Sequence, residues 1–327
     1  MYDGVLLGLS IQNEGYLRQN FHYTLKPSYG TKSNNLNGSF SFNYSYLPED
    51  TNIYRISLGM GGSHYQYDDG LDYNTLSPHL SVSFKQKDFR ALGNHTLSAK
   101  YSWIDREIAP GLEINEQDQY GLLKVDYTYN KNKLIHNYNI NINTEIASQF
   151  TKLNTEFLYR HLTNRKRPIE LRFFGGVFLT NNTVSDFFSY NQHTANDYLF
   201  ELPYFGRSET EGLVSQQYFK AQGGFASQNE PGFANQWLTS INTSAGLYKW
   251  IEMFNNVSLQ KSRNLPSHFD YESGIRLNFV PNILEFYLPV YNKEGFVTNQ
   301  GNYLNNIRFV LTLRAAPIFT FLRQQIF

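Results

Sequence analysis

Ser39-Phe40-Ser41-Phe42-Asn43-Tyr44-Ser45-Tyr46 places an aromatic ring at every second position and a small polar side chain at each one between. Successive side chains of a β-strand point to opposite faces, so a period of two predicts an extended segment with one apolar and one wet face. A helix would scatter those four rings around its circumference. The pattern recurs along the chain. Val5, Leu7, Leu9 and Ile11 alternate with Leu6, Gly8 and Ser10, and Tyr54, Ile56, Leu58 and Met60 with Arg55, Ser57 and Gly59. Leu97, Ala99, Tyr101 and Trp103 oppose Ser98, Lys100 and Ser102, and Asn137 to Asn143 repeats the dyad with Asn on one face. The last such run, Asn306 to Arg314, sets Ile307, Phe309, Leu311 and Leu313 against Arg308, Val310, Thr312 and Arg314.

Amphipathic strands of this kind build either a sandwich with a shared core or a closed barrel facing lipid. About sixteen segments (roughly 12–16) of about ten residues can be counted, longer than the strands of about 5–6 residues usual in sandwiches. Their polar faces carry Ser, Asn, Thr, Lys, Arg and Glu, with few large apolar groups to fill a wide interior. Apolar residues outward and polar residues inward is the cheaper arrangement, and it requires a bilayer. Aromatics make up 17% of the 327 residues, as interfacial girdles demand. The reading is an all-β, antiparallel transmembrane β-barrel over residues 1–314, followed by a short amphipathic tail over 315–327. The last run is expected to close the barrel by pairing with the first, Gly4 to Asn13.

Segments 64–75, 105–117 and 181–212 read as long loops, all on one side by strand parity; 182–212 is placed either outside the barrel or inside its lumen. Residues 213–225 read as a less regular strand. The same parity puts Met1 on the long-loop side. Met1-Tyr2-Asp3-Gly4 leads directly into a strand pattern with no secretion signal, so a membrane barrel implies a mature or truncated chain.

Chemistry is scarce. With no Cys, disulfides, thiolate metal sites and a Cys nucleophile are excluded. The eight His residues form no H-E-x-x-H pattern, and no phosphate-loop, dinucleotide or G-x-S-x-G motif occurs. No catalytic, cofactor-binding or metal-ligating residue is therefore assigned. Asp68, Asp69 and Asp72 offer carboxylates for calcium, but a solvated acidic loop explains them more simply. Arg165, Lys166 and Arg167 suit either lipid phosphates or a charged turn. Phe205, Gly206, Arg207 and Glu209 form an aromatic and charged cluster inside a long loop, able to fold into the lumen. The lumen-facing charges are Arg55, Lys100, Lys124, Asp126, Glu156, Arg160, Glu170, Arg172 and Arg276. Both signs are interleaved, which fits a weakly selective channel or a lumen cross-linked by ion pairs and occupied by loops. The balance of 28 basic and 28 acidic residues gives no nucleic-acid signal.

Several short segments carry a resemblance. Tyr2-Asp3-Gly4-Val5-Leu6-Leu7-Gly8-Leu9, Phe205-Gly206-Arg207-Ser208-Glu209 with Ser215-Gln216-Gln217, Leu284-Glu285-Phe286-Tyr287-Leu288-Pro289, and Ile307 to Leu313 with Pro317-Ile318-Phe319 are similar to the C-terminal barrel region of large gluzincin (aminopeptidase-N-like) metallopeptidases of Bacteroidota. The resemblance implies a barrel in the outer membrane of a Bacteroidota-type Gram-negative bacterium, anchoring a zinc peptidase module whose metal ligands and general-base Glu are expected upstream. Zinc is expected only there, and no catalytic residue transfers to this chain. The expected partners are the lipid bilayer, the outer-membrane assembly machinery and that peptidase module or other envelope proteins. The alternative is a stand-alone porin-like or transport barrel.

Overall fold

In the computed structural model, residues 3–13, 19–86, 93–108, 117–133, 135–204, 212–299 and 303–311 are described. The strands are β1 Leu6–Gly8, β2 Ile11–Gln12, β3 Phe21–Gly30, β4 Leu36–Tyr46, β5 Ile53–Asp68, β6 Leu71–Phe84, β7 Gly93–Arg106, β8 Gln119–Asn132, β9 His136–Ala147, β10 Phe150–Leu162, β11 Pro168–Asn181, β12 Tyr190–Asn191, β13 Phe233–Ala234, β14 Trp237–Tyr248, β15 Ile251–Lys261, β16 His268–Val280, β17 Leu284–Asn292, β18 Gly295–Phe296 and β19 Arg308–Leu311. Seventeen of them form one antiparallel sheet, and β12 and β13 pair separately. From β3 to β11 each strand pairs with the next in sequence; β11 then pairs with β14, and the meander resumes.

The sheet wraps around the described parts of the 182–236 connection, 182–204 and 212–236. From one segment, Phe200 stacks on Tyr73 of β6, Gln192 bonds Asp270 of β16, and Tyr218 bonds Phe309 of β19. Reaching both halves of the sheet requires a barrel with that segment inside. Strand parity then assigns the faces. Leu58, Leu179 and Phe269 point outward, 60%, 59% and 51% exposed, as belongs on a lipid-facing wall. The residues on either side of them along each strand turn inward, and polar residues dominate that side. The described helical turns are short, and no helix is long and apolar enough to cross a membrane.

Four expectations need correction. Residues 64–75 are not a loop: β5 and β6 run through them and meet at a tight turn containing Asp69 and Gly70, with Gln66 opposite Asp72. Residues 213–225 are not a wall strand; they hold one helical turn, Val214–Gln216, and irregular chain inside the barrel. The first strand is interrupted into β1 and β2, both paired to β3. At Phe309 the two neighbours are Phe286 of β17 and Gln217 of the inserted segment, where the first strand was expected. Leu313 and the tail 315–327 lie outside the described residues.

Leu6 faces Gly30, so the chain begins at the end of the barrel that carries the 107–118, 182–236 and 293–307 connections. Asp3 is held there by Ser33 and Asn37, each at 2.8 Å. The opposite end is joined by shorter turns.

Candidate functional site: a lumen filled by residues 182–236

The inserted segment meets the wall in three zones. At the long-connection end, Phe188 and Tyr198 pack with Ile104, Tyr120, Leu122 and Phe150 from β7, β8 and β10. Tyr120 donates to the Tyr198 carbonyl at 2.5 Å. Lys152 of β10 is buried beside this cluster, with its ammonium 4.6–5.2 Å from the rings of Tyr198, Phe150, Phe178 and Tyr190. Its counter-charge is Glu145 of β9 at 3.8 Å, which also accepts the Tyr198 hydroxyl proton at 2.6 Å. Desolvation and the Glu145 charge hold the Tyr198 phenol well above its usual range, so it stays a donor.

The middle zone is a ladder between wall side chains and the inserted backbone. Arg172 and Ser240 donate to the Gln222 carbonyl at 3.0 and 2.9 Å, Asn242 to Gly223 at 2.8 Å, and Asn256 to Gly224 at 3.0 Å. Glu272 of β16 accepts the backbone N–H groups of Ala226 and Ser227 at 2.6 and 2.8 Å, the Ser227 hydroxyl, and the Asn256 amide at 2.7 Å. Such exchanges satisfy irregular backbone where no ladder is available. Two glycines make room. Gly224 turns at φ +73°, and a Cβ there would meet the Asn242 amide at 2.6 Å. A Cβ on Gly176 would lie 2.7 Å from the Tyr190 ring. In the third zone Tyr218 packs with Phe254 and Tyr287, while its N–H donates to the Phe309 carbonyl at 2.7 Å.

The expected lumen charges fall into groups. Glu170 joins Arg160 at 2.7 Å and Lys220 of the inserted segment at 3.8 Å; Arg172 bonds Glu156 at 2.6 Å; and Arg276 pairs with Glu252 and lies 3.9 Å from Glu285. All of these but Glu252 line a cavity of about 460 Å³ toward the short-turn end. Lys124 and Asp126 pair at 3.8 Å, and Lys100 pairs with Glu201 of the inserted segment. Arg55 is exposed near the start of β5. Ile307, Phe309 and Leu311 stand in or beside β19. Phe205, Gly206, Arg207 and Glu209 lie outside the described residues. Asp69 sits 3.5 Å from Lys32, and no group of three metal-ligating side chains occurs among the described residues.

Lys152, Glu145, Glu252, Glu272 and Glu285 were not singled out in sequence. Parity offered the signal, because Lys152 shares a face with Glu156, and Glu272 with Arg276. His193, beside Gly232 in the inserted segment, was missed too. Its Nδ1 has no hydrogen-bond partner among the described residues. Burial, and then the Arg308 charge, depress its pKa from 6.5 to about 4. Once unfolded the imidazole takes up a proton near pH 6.5, but folded it resists until about 4. Stability of the filled lumen is therefore full above pH 6.5 and falls as pH drops toward 4, by up to about 3 kcal/mol. Thermal unfolding in detergent should show this slope in the parent and a flattened one in His193→Gln.

No family model matches the chain, and no curated protein does. Among solved structures it is similar to the crystal structure of BamA from Haemophilus ducreyi lacking POTRA domains 1-3, at 10% sequence identity and a TM-score of 0.41, over 89% of this chain and 72% of that one. That likeness carries no functional argument.

Proposed function

We propose that the chain is an outer-membrane barrel closed by its own 182–236 segment, serving as anchor and platform for a metallopeptidase module. The observation that supports closure is the middle zone, where buried wall side chains bond the backbone of Gln222, Gly223, Gly224, Ala226 and Ser227. A porin-like barrel needs a continuous aqueous path, and ion pairs that cross from wall to inserted segment work against one. The purified chain in planar bilayers is expected to be silent; steady ion steps at low voltage would favour the stand-alone channel.

The peptidase half of the reading rests on the sequence resemblance, and zinc belongs to that module. It predicts that an antibody raised against this barrel detects, in native outer membranes, a polypeptide much heavier than 38.0 kDa. A band at the barrel's own mass would remove the anchor role and leave the closed barrel standing.

A further inference from the structure

The formal charges of the chain cancel, but they are unevenly placed. The short-turn end carries Lys85 after β6, Lys131 and Lys133 around the β8–β9 turn, Arg165, Lys166 and Arg167 between β10 and β11, and Lys249 between β14 and β15. These four turns follow one another around the rim, because β11 pairs directly with β14. The carboxylates in the described turns of this end, Glu49 and Asp50, stand in the β4–β5 turn, outside the arc. None of the seven cations forms an ion pair within the described residues, although Lys249 lies over the Tyr248 ring at 5.3 Å.

Beneath the arc, on the outward face, lies a second independent feature. His95 of β7 bonds the Tyr127 hydroxyl at 2.8 Å and lies 4.6 Å from the Tyr129 ring. On β9 and β10, His136 and His161 stack at 4.6 Å, their Nδ1 atoms 3.2 Å apart, and His136 bonds the Tyr159 hydroxyl at 2.9 Å. Trp250 stacks on Phe279 at 4.7 Å, continuing the ring row below Lys249. Rings with polar edges are what a barrel carries at the boundary between hydrocarbon and water. In a bilayer such a girdle would set the depth of the rim and bring the cations to headgroup level, within a Debye length of lipid phosphates.

We propose that the arc from the β8–β9 turn to the β10–β11 turn binds the phosphate of an anionic glycerophospholipid in the leaflet at the short-turn end. The cations supply charge, and the imidazoles and phenols of β9 and β10 supply donors just below. Short turns of such barrels face the periplasm, so the phospholipid of that leaflet is the source. The site depends on the barrel spanning a bilayer and is indifferent to whether the lumen is closed or a peptidase is attached.

The test is native mass spectrometry of the full chain in detergent, with phosphatidylglycerol or phosphatidylethanolamine added at equal concentration. The parent should retain the anionic lipid with a preference of roughly tenfold or more, since each cation near a surface contributes about a fivefold effect. Arg165→Gln/Lys166→Gln/Arg167→Gln should lose that preference, while Lys32→Gln/Arg263→Gln at the other end should keep it. A heat-dependent shift on gels verifies that each variant folds. Should the triple variant not fold, Lys131→Gln/Lys133→Gln and the parent in high salt replace it, both expected to release the lipid. Equal retention of the two lipids, a preference that survives loss of the arc, or capture of an acidic protein without lipid selectivity would each overturn the assignment.

Discussion

Glu272→Ala is expected to turn a silent barrel into one that conducts in bursts. The carboxylate holds three donors of the inserted segment, Ala226 N–H, Ser227 N–H and the Ser227 hydroxyl, in a buried site. Alanine leaves two backbone N–H groups without partners and without water. Each such orphan costs about 1–3 kcal/mol, so local opening becomes easier by roughly 3–4 kcal/mol, or two to three orders of magnitude in open population. The wall strand itself keeps its ladder to β15 and β17, so the barrel should persist. Single-channel recording and protease cleavage within 182–236 read the effect, and Glu272→Gln, which retains one acceptor oxygen, should be milder. An alanine variant as silent and as protected as the parent would show that Glu272 does not latch the segment.

Lys152→Met should destabilise the barrel by about 3–5 kcal/mol, the usual consequence of stripping one partner from a buried ion pair. Glu145 would remain as an uncompensated buried carboxylate whose other donor is the Tyr198 hydroxyl at 2.6 Å. The ring faces around the ammonium would still be filled, since Met is apolar and of similar length. The loss therefore belongs to charge rather than to a cavity. Lys152→Met/Glu145→Gln should regain most of the stability, and a double-mutant cycle on denaturant midpoints in detergent measures the coupling. Equal midpoints for the single and double variants would place the cost in packing.

How much of this was legible in sequence differs by region. The wall was legible because lipid and lumen make opposite demands on alternate residues, and Ser39 to Tyr46 or Ile251 to Lys261 can satisfy both only as strands. The hairpin at 64–75 was hidden because Tyr65, Tyr67 and Tyr73 reverse the usual sorting: there the rings turn inward to meet Phe200 and one another. Asp69-Gly70 was the surviving signal, since that dipeptide favours two-residue hairpin turns. The filling of the lumen was open between two readings. Residues 182–236 have no period, and the backbone groups of Gln222, Gly223, Gly224, Ala226 and Ser227 take partners from β11, β14, β15 and β16, a long-range match that local pattern does not encode. The mixed signs of Glu156, Arg160, Glu170, Arg172 and Arg276 suited a weakly selective channel as well as a cross-linked lumen, and did not say that Lys220 would join them.

The contact between Tyr218 and Phe309 ties the wall to its own contents. β19 is the last of the described wall strands in chain order, and its Phe309 carbonyl takes the Tyr218 N–H of the segment inside. Emptying the interior would take that partner away, and an unpaired carbonyl at membrane depth costs several kcal/mol. The inserted segment is thus a clasp as well as a stopper: among the described residues, Gln217 and Tyr218 border β19 on the side away from β17.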